Sequence, residues 1–114
     1  MLIKKPWGEF KQLALNQTCS VKLLTVNPGQ ETSLHYHNLR DDMWVILDDG
    51  ISVQIGEKTY ETRPGDEFVI PAEENHRIIS STEKGRVLEI AFGYTNEEDI
   101  NRLADDYGRS SERN

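Results

Sequence analysis

The stretch SLHYHNLRDDMW, residues 33–44, holds two of the chain's three histidines one residue apart, followed by an arginine and two aspartates. If the stretch is extended, alternate side chains share a face, so His35 and His37 point one way and Leu34 and Tyr36 the other. Two imidazoles on one face form a bidentate clamp for a metal ion. A turn through residues 38–40 would bring the carboxylate of Asp42 back toward them. A His-x-His pair by itself is more often a solvated or hydrogen-bonded structural feature, so the surrounding frame decides its meaning.

Working outward, short β-rich runs recur: EFKQLAL, SVKLLTV, TSLHYH, MWVIL, ISVQIG, KTYETR, EFVIP, HRIISS and RVLEIAF. Breaks such as NPGQ, LDDG, RPGD, PAEEN and TEKG carry the residues that suit turns. ISVQIGEKTYETR reads as a hairpin turning at Gly56, with Ile51, Val53 and Ile55 facing inward. Nine close-spaced short strands predict an all-β sandwich or barrel. At the C-terminus, Thr95 or Asn96 can cap a helix, and Glu97, Glu98 and Asp99 suit its positive end. Ile100, Leu103, Ala104 and Tyr107 follow at helical spacing and Gly108 ends the run. The expected organisation is one domain over residues 1–109, closing in this short C-terminal helix, with a flexible tail at 110–114.

Composition narrows the function. The net charge of −7 argues against nucleic acid as a partner. No run of about 18 apolar residues marks a membrane span, and no apolar stretch follows Lys4 and Lys5 as a signal peptide would require. A cytoplasmic location is the expectation. The single cysteine, Cys19, excludes an internal disulfide and reads as a buried strand residue.

The frame around the histidines resembles the cupin superfamily. Its first motif has the form G-x5-H-x-H-x(3,4)-E-x6-G; here Gly29, QETSL, His35, His37, NLRD and Asp42 match, with Gly50 one residue late. The second motif, G-x5-P-x-G-x2-H-x3-N, is matched in spacing by Gly65, DEFVI, Pro71, Glu73, His76 and Ser80. Asp42 stands in place of glutamate, Glu73 of glycine and Ser80 of asparagine. The resemblance implies a double-stranded β-helix, the jelly-roll barrel. It also implies His35, His37, Asp42 and His76 as ligands of one divalent metal ion, with zinc, manganese, iron, nickel and cobalt all compatible.

KPWGEF, VKLLTVNPGQETSLHYHNLRDDMW, VIPAEENHRI and NEEDINRLADDYGR together look like the type II phosphomannose isomerase domain, over roughly residues 5 to 109. In the bacterial bifunctional enzymes that domain follows a guanylyltransferase half, which has no counterpart in this sequence. Those enzymes commonly carry glutamine where His35 stands. The resemblance places Arg40 at a residue important for isomerisation and Lys22 and Arg77 at cationic positions suited to phosphate or sugar oxygens. Trp44, in phase with Asp42, is expected on the cavity floor, and Pro6-Trp7-Gly8 as a plug at one barrel end. A homodimer is also implied.

The function expected first is a metal-dependent aldose–ketose isomerase acting on a sugar or sugar phosphate, with Arg40 and Lys22 in the catalytic set. Glu67, Glu89 and Lys22 are candidates for the proton-transferring base. A non-catalytic carbohydrate-sensing cupin is the alternative, and an iron-dependent dioxygenase stands behind it.

Overall fold

The computed structural model describes residues 1–109. The expected tail, 110–114, lies outside the described residues. All regular structure is β: β1 (Leu2–Lys5), β2 (Gly8–Lys11), β3 (Cys19–Val26), β4 (Leu34–Tyr36), β5 (Asp42–Ile46), β6 (Ile51–Ile55), β7 (Lys58–Glu61), β8 (Glu67–Ile70), β9 (His76–Ser80), β10 (Gly85–Phe92) and β11 (Asn101–Ala104). Two antiparallel sheets face each other, ordered β3-β10-β5-β8 and β11-β4-β9-β6-β7. This is the expected double-stranded β-helix.

Alternation in the strands divides the inner space into two ends. Along β5, Asp42, Trp44 and Ile46 all point inward and are buried. On β9 the inward set is His76, Ile78 and Ser80. Ile46, Ile51, Val53, Ile70, Ile78 and Val87 form the dry end, joined by Val26 and Trp44. The polar end holds Asp42, His76 and Glu89, the last opposite both Trp44 and Lys22 in the ladders of β10. Trp44 sits at the boundary, its ring edge-on to His76 at 5.4 Å between centroids.

The C-terminal helix is not formed. Asn96 caps a single turn, its side-chain oxygen accepting from the Glu98 amide at 2.9 Å, and the chain then extends as β11 along β4. Two non-local demands outweigh the helical periodicity. Without β11, strand β4 would be a sheet edge with unpaired backbone groups at the wall of the cavity. The Asp99 carboxylate also accepts hydrogen bonds from the amides of Asn38 and Leu39, at 2.9 and 3.0 Å, which ties the turn to the loop after β4. Leu103 and Tyr107, which a helix would have buried, are half exposed. The N-terminal expectation also changes: Lys5–Gly8 is the turn region of the β1–β2 hairpin, and Trp7, 73% exposed, plugs nothing.

Glu73, standing where the motif carries glycine, adopts φ = 73°. That left-handed backbone crowds the Cβ of any L-residue. The conformation is held because the Glu73 amide donates to the His37 carbonyl at 2.7 Å, joining the loops that precede β5 and β9. We predict that Glu73→Gly raises stability by up to about 1 kcal/mol, the relieved strain exceeding the added freedom of the unfolded chain. The urea midpoint reads this directly, and a lower midpoint contradicts it.

Candidate metal centre

One ring nitrogen from each of His35, His37 and His76 lies within 4.8 Å of the others. The ring centroids are 4.5 Å apart for His35–His76, 5.0 Å for His35–His37 and 5.1 Å for His37–His76. His35 and His76 are cross-strand partners on β4 and β9, and His37 follows just past the end of β4.

Backbone carbonyls fix the orientation of all three rings. Nδ1 of His35 lies 3.0 Å from the Ser33 carbonyl, Nδ1 of His37 is 2.5 Å from that of Asp99, and Nδ1 of His76 is 2.9 Å from that of Glu74. A carbonyl only accepts, so these contacts favour a proton on each Nδ1, with the Ser33 hydroxyl also 2.8 Å from that of His35, and leave each Nε2 as an acceptor. Nε2 of His76 is buried and has no partner among the described residues. Buried polar atoms are seldom left unpaired, and neutral imidazoles oriented through the second nitrogen are the usual form of metal-ligating histidine. The donor set fits a divalent cation.

Burial enforces the neutral form. It pulls His35 down to about 2, helped by the other two histidines, and His76 down to about 4 against the opposing carbonyl hydrogen bond. His37 is lowered for the same first reason.

Asp42, 1% exposed, reaches the same space, with Oδ2 3.7 Å from His37 Nε2 and 3.9 Å from His76 Nε2. Burial, then the nearby Glu89, lifts its carboxyl to about 7 in spite of Arg40. Arg40 is itself buried. Its Nη2 donates to His37 Nε2 at 3.0 Å and to Asp42 Oδ2 at 3.4 Å, and lies 3.8 Å from Glu89. Its Nε is 3.0 Å from Asp42 Oδ1, an ion-pair distance, yet poorly aligned, so neither atom gains a hydrogen bond. The motif's glutamate would be longer; here the guanidinium fills the room that the shorter Asp42 leaves.

His35 and His37, with His76 behind them, line a cavity of about 580 Å³ together with Lys22, Leu24, Arg40, Glu89, Glu97 and Arg102, among others. Lys22 is at its mouth, paired with Glu97 at 2.9 Å. Glu89 is buried against it and accepts from Trp44 Nε1 at 3.0 Å. The other expected residues lie elsewhere. Arg77 faces away from His76 on β9, does not line the cavity, and spends its guanidinium on the Thr32 and Ala104 carbonyls and on Glu31. Trp44 packs beneath the histidines within the core rather than on the cavity surface. Glu67 pairs with Lys11, outside the cavity. Conversely, Glu97, Ile100, Arg102, Tyr107 and Arg109 bring the C-terminal segment into the wall. A period-2 reading of Ile100 and Arg102 would have pointed to them; the helical reading hid it.

The family comparison agrees with this architecture. The family model for the mannose-6-phosphate isomerase C-terminal region matches residues 1–105. The chain belongs to this family. It is 30% identical over 112 residues to the alginate biosynthesis protein AlgA of Pseudomonas aeruginosa, covering 96% of this chain and 23% of that protein. It is 34% identical to a mannose-1-phosphate guanylyltransferase of Klebsiella pneumoniae, covering 94% of this chain and 23% of that one. The chain thus spans about a quarter of the length of these relatives. Among solved structures, a cupin superfamily protein from Desulfitobacterium hafniense superposes with a TM-score of 0.59 at 18% identity, covering 69% of this chain and 70% of that one. Among the described residues no helix is long and apolar enough to cross a membrane.

The histidines make metal-free stability depend on pH. Between about pH 6.5 and 4 the unfolded chain takes up protons on His35 and His76 that the folded chain keeps neutral, and the lowered His37 acts in the same direction, so folding weakens as pH falls. Asp42 acts oppositely, since its folded carboxyl takes a proton near 7 and the unfolded one only near 3.8. Three groups oppose one. Metal-free protein is therefore predicted to show a lower urea midpoint at pH 5 than at pH 7; a higher one contradicts the assignment.

Proposed function

We propose that this domain is a metal-dependent isomerase that interconverts an aldose and a ketose, with a sugar phosphate as substrate. The observation that carries the reading is that a three-histidine cluster adjoins a cavity whose wall also holds a buried carboxylate, Glu89, outside that cluster. Family membership supports the substrate class.

His35, His37 and His76 would hold a divalent ion, with Asp42 beside them. Such an ion, when bound, supplies Lewis-acid polarisation of a carbonyl and its neighbouring hydroxyl. The chain's own groups then have defined tasks. Isomerisation moves a proton from the hydroxyl-bearing carbon beside the carbonyl to the carbonyl carbon, and the proton of that hydroxyl to the former carbonyl oxygen. Glu89 is placed to take and return that proton: Trp44 Nε1 fixes one carboxylate oxygen, and the other lies toward Arg40. Glu67 lies outside the cavity, paired with Lys11, and Lys22 is paired with Glu97, both of which favour Glu89 for the task. Arg40 counters the charges of Asp42 and Glu89 and so orients both carboxylates. Apolar side chains of Leu24, Val26 and Ile100 limit water around the reacting carbons.

The test is solvent exchange. Metal-loaded protein with mannose 6-phosphate and related aldoses in deuterated water should place deuterium on the carbon next to the carbonyl. Glu89→Gln, which keeps the shape and the Trp44 contact, should slow exchange by about 100-fold or more while leaving metal content intact. Absence of exchange on every aldose tried overturns the reading, and full exchange in the variant removes Glu89 from it.

A further inference from the structure

The C-terminal strand brings into the cavity a cation that has no ion pair among the described residues. Of the basic side chains lining the cavity, Lys22 pairs with Glu97, Arg40 lies against Asp42 and Glu89, and Arg109 is forked on Asp105 at 2.8 Å. Arg102 has no ion pair and no side-chain hydrogen bond among the described residues, and its Nε is shut off from solvent. Ile100 and Arg102, two residues apart, both line the cavity, as strand alternation requires. Arg102 is also the ladder partner of His35, so it shares a wall with the three histidines.

Arg102 is half-buried, and a buried Nε without a partner is costly in an isolated fold and ordinary once a ligand brings an acceptor. Its Nε and Nη donors lie in one plane and match two oxygens of a phosphate or carboxylate. In a chain of net charge −7, such a local cation is also what an anionic ligand needs to enter.

We propose that Arg102 is the anion-recognition residue of the cavity. It takes the phosphate or carboxylate of the ligand against β11, while the reacting end of the sugar faces the histidines. The inference deepens the isomerase reading and rests on it for the identity of the ligand, but its first test needs no turnover.

Calorimetric titration of the protein as purified with inorganic phosphate, and separately with acetate, at low ionic strength tests it. Arg86→Gln is the control, because it removes the same charge from an exposed pair with Asp48 that does not line the cavity. Saturable binding of at least one anion is expected, weakened about tenfold or more in Arg102→Gln and less than about twofold in Arg86→Gln. Which anion binds tells phosphate from carboxylate. No binding to the unaltered protein, equal binding in Arg102→Gln, or an equal loss in both variants overturns the proposal. If circular dichroism shows Arg102→Gln unfolded, Arg102→Lys replaces it: the charge stays, the fork is lost, and the same weakening is expected, with unchanged affinity overturning the assignment. Anion binding that depends on Arg102, in a protein that exchanges no aldose, keeps the anion site and removes the isomerase reading. Exchange of a sugar phosphate with the same KM in both proteins does the reverse.

Discussion

Three backbone carbonyls, those of Ser33, Glu74 and Asp99, hold the Nδ1 atoms of His35, His76 and His37 and so bring the three rings together in one cluster, with Arg40 on the Nε2 of His37. They come from three separate places in the chain: the approach to β4, the loop before β9 and the turn before β11. The centre is therefore assembled only when three neighbouring strands of the five-stranded sheet, β11, β4 and β9, are in place. The amide of Glu73 on the His37 carbonyl and the Asp99 carboxylate on the amides of Asn38 and Leu39 are braces on the same few loops. Strain at Glu73 is tolerated because these bonds over-determine it.

Charge balance is the second constraint. Asp42 and Glu89 are buried within reach of a single buried cation, Arg40. Burial and the Glu89 charge lift the Asp42 carboxyl to about 7, so the metal-free site relieves part of its negative charge by holding a proton. Arg40 is thereby committed to carboxylates and to His37, and among the described basic residues lining the cavity Arg102 on β11 is the one without an ion pair.

The strands and the histidine cluster were legible because both follow from sequence patterns. Alternation along MWVIL and HRIIS fixes the inward faces of β5 and β9, and the spacing around His35, His37, Asp42 and His76 marks the site before any contact is known. The C-terminal segment was not legible. Its acidic start and its apolar residues at i, i+3, i+4 and i+7 are a sound local description of a helix. What decides against it is the edge of β4, and an unpaired edge is a property of the assembled sheet rather than of residues 95–108. That one reversal concealed Arg102, since a helix would have scattered Ile100 and Arg102 over different faces. Arg77 illustrates the opposite case: its position beside His76 suggested a ligand contact, but strand alternation sends neighbours to opposite faces.

The central claim is that His35, His37 and His76 form one metal site. Elemental analysis of purified protein, alongside His37→Ala and His76→Ala variants whose circular dichroism is native, tests it most directly. The account predicts one divalent ion per chain in the unaltered protein and loss of that ion in each variant. Full retention of metal in either variant, or no binding of any of zinc, manganese, iron, nickel or cobalt by the unaltered protein, would contradict it.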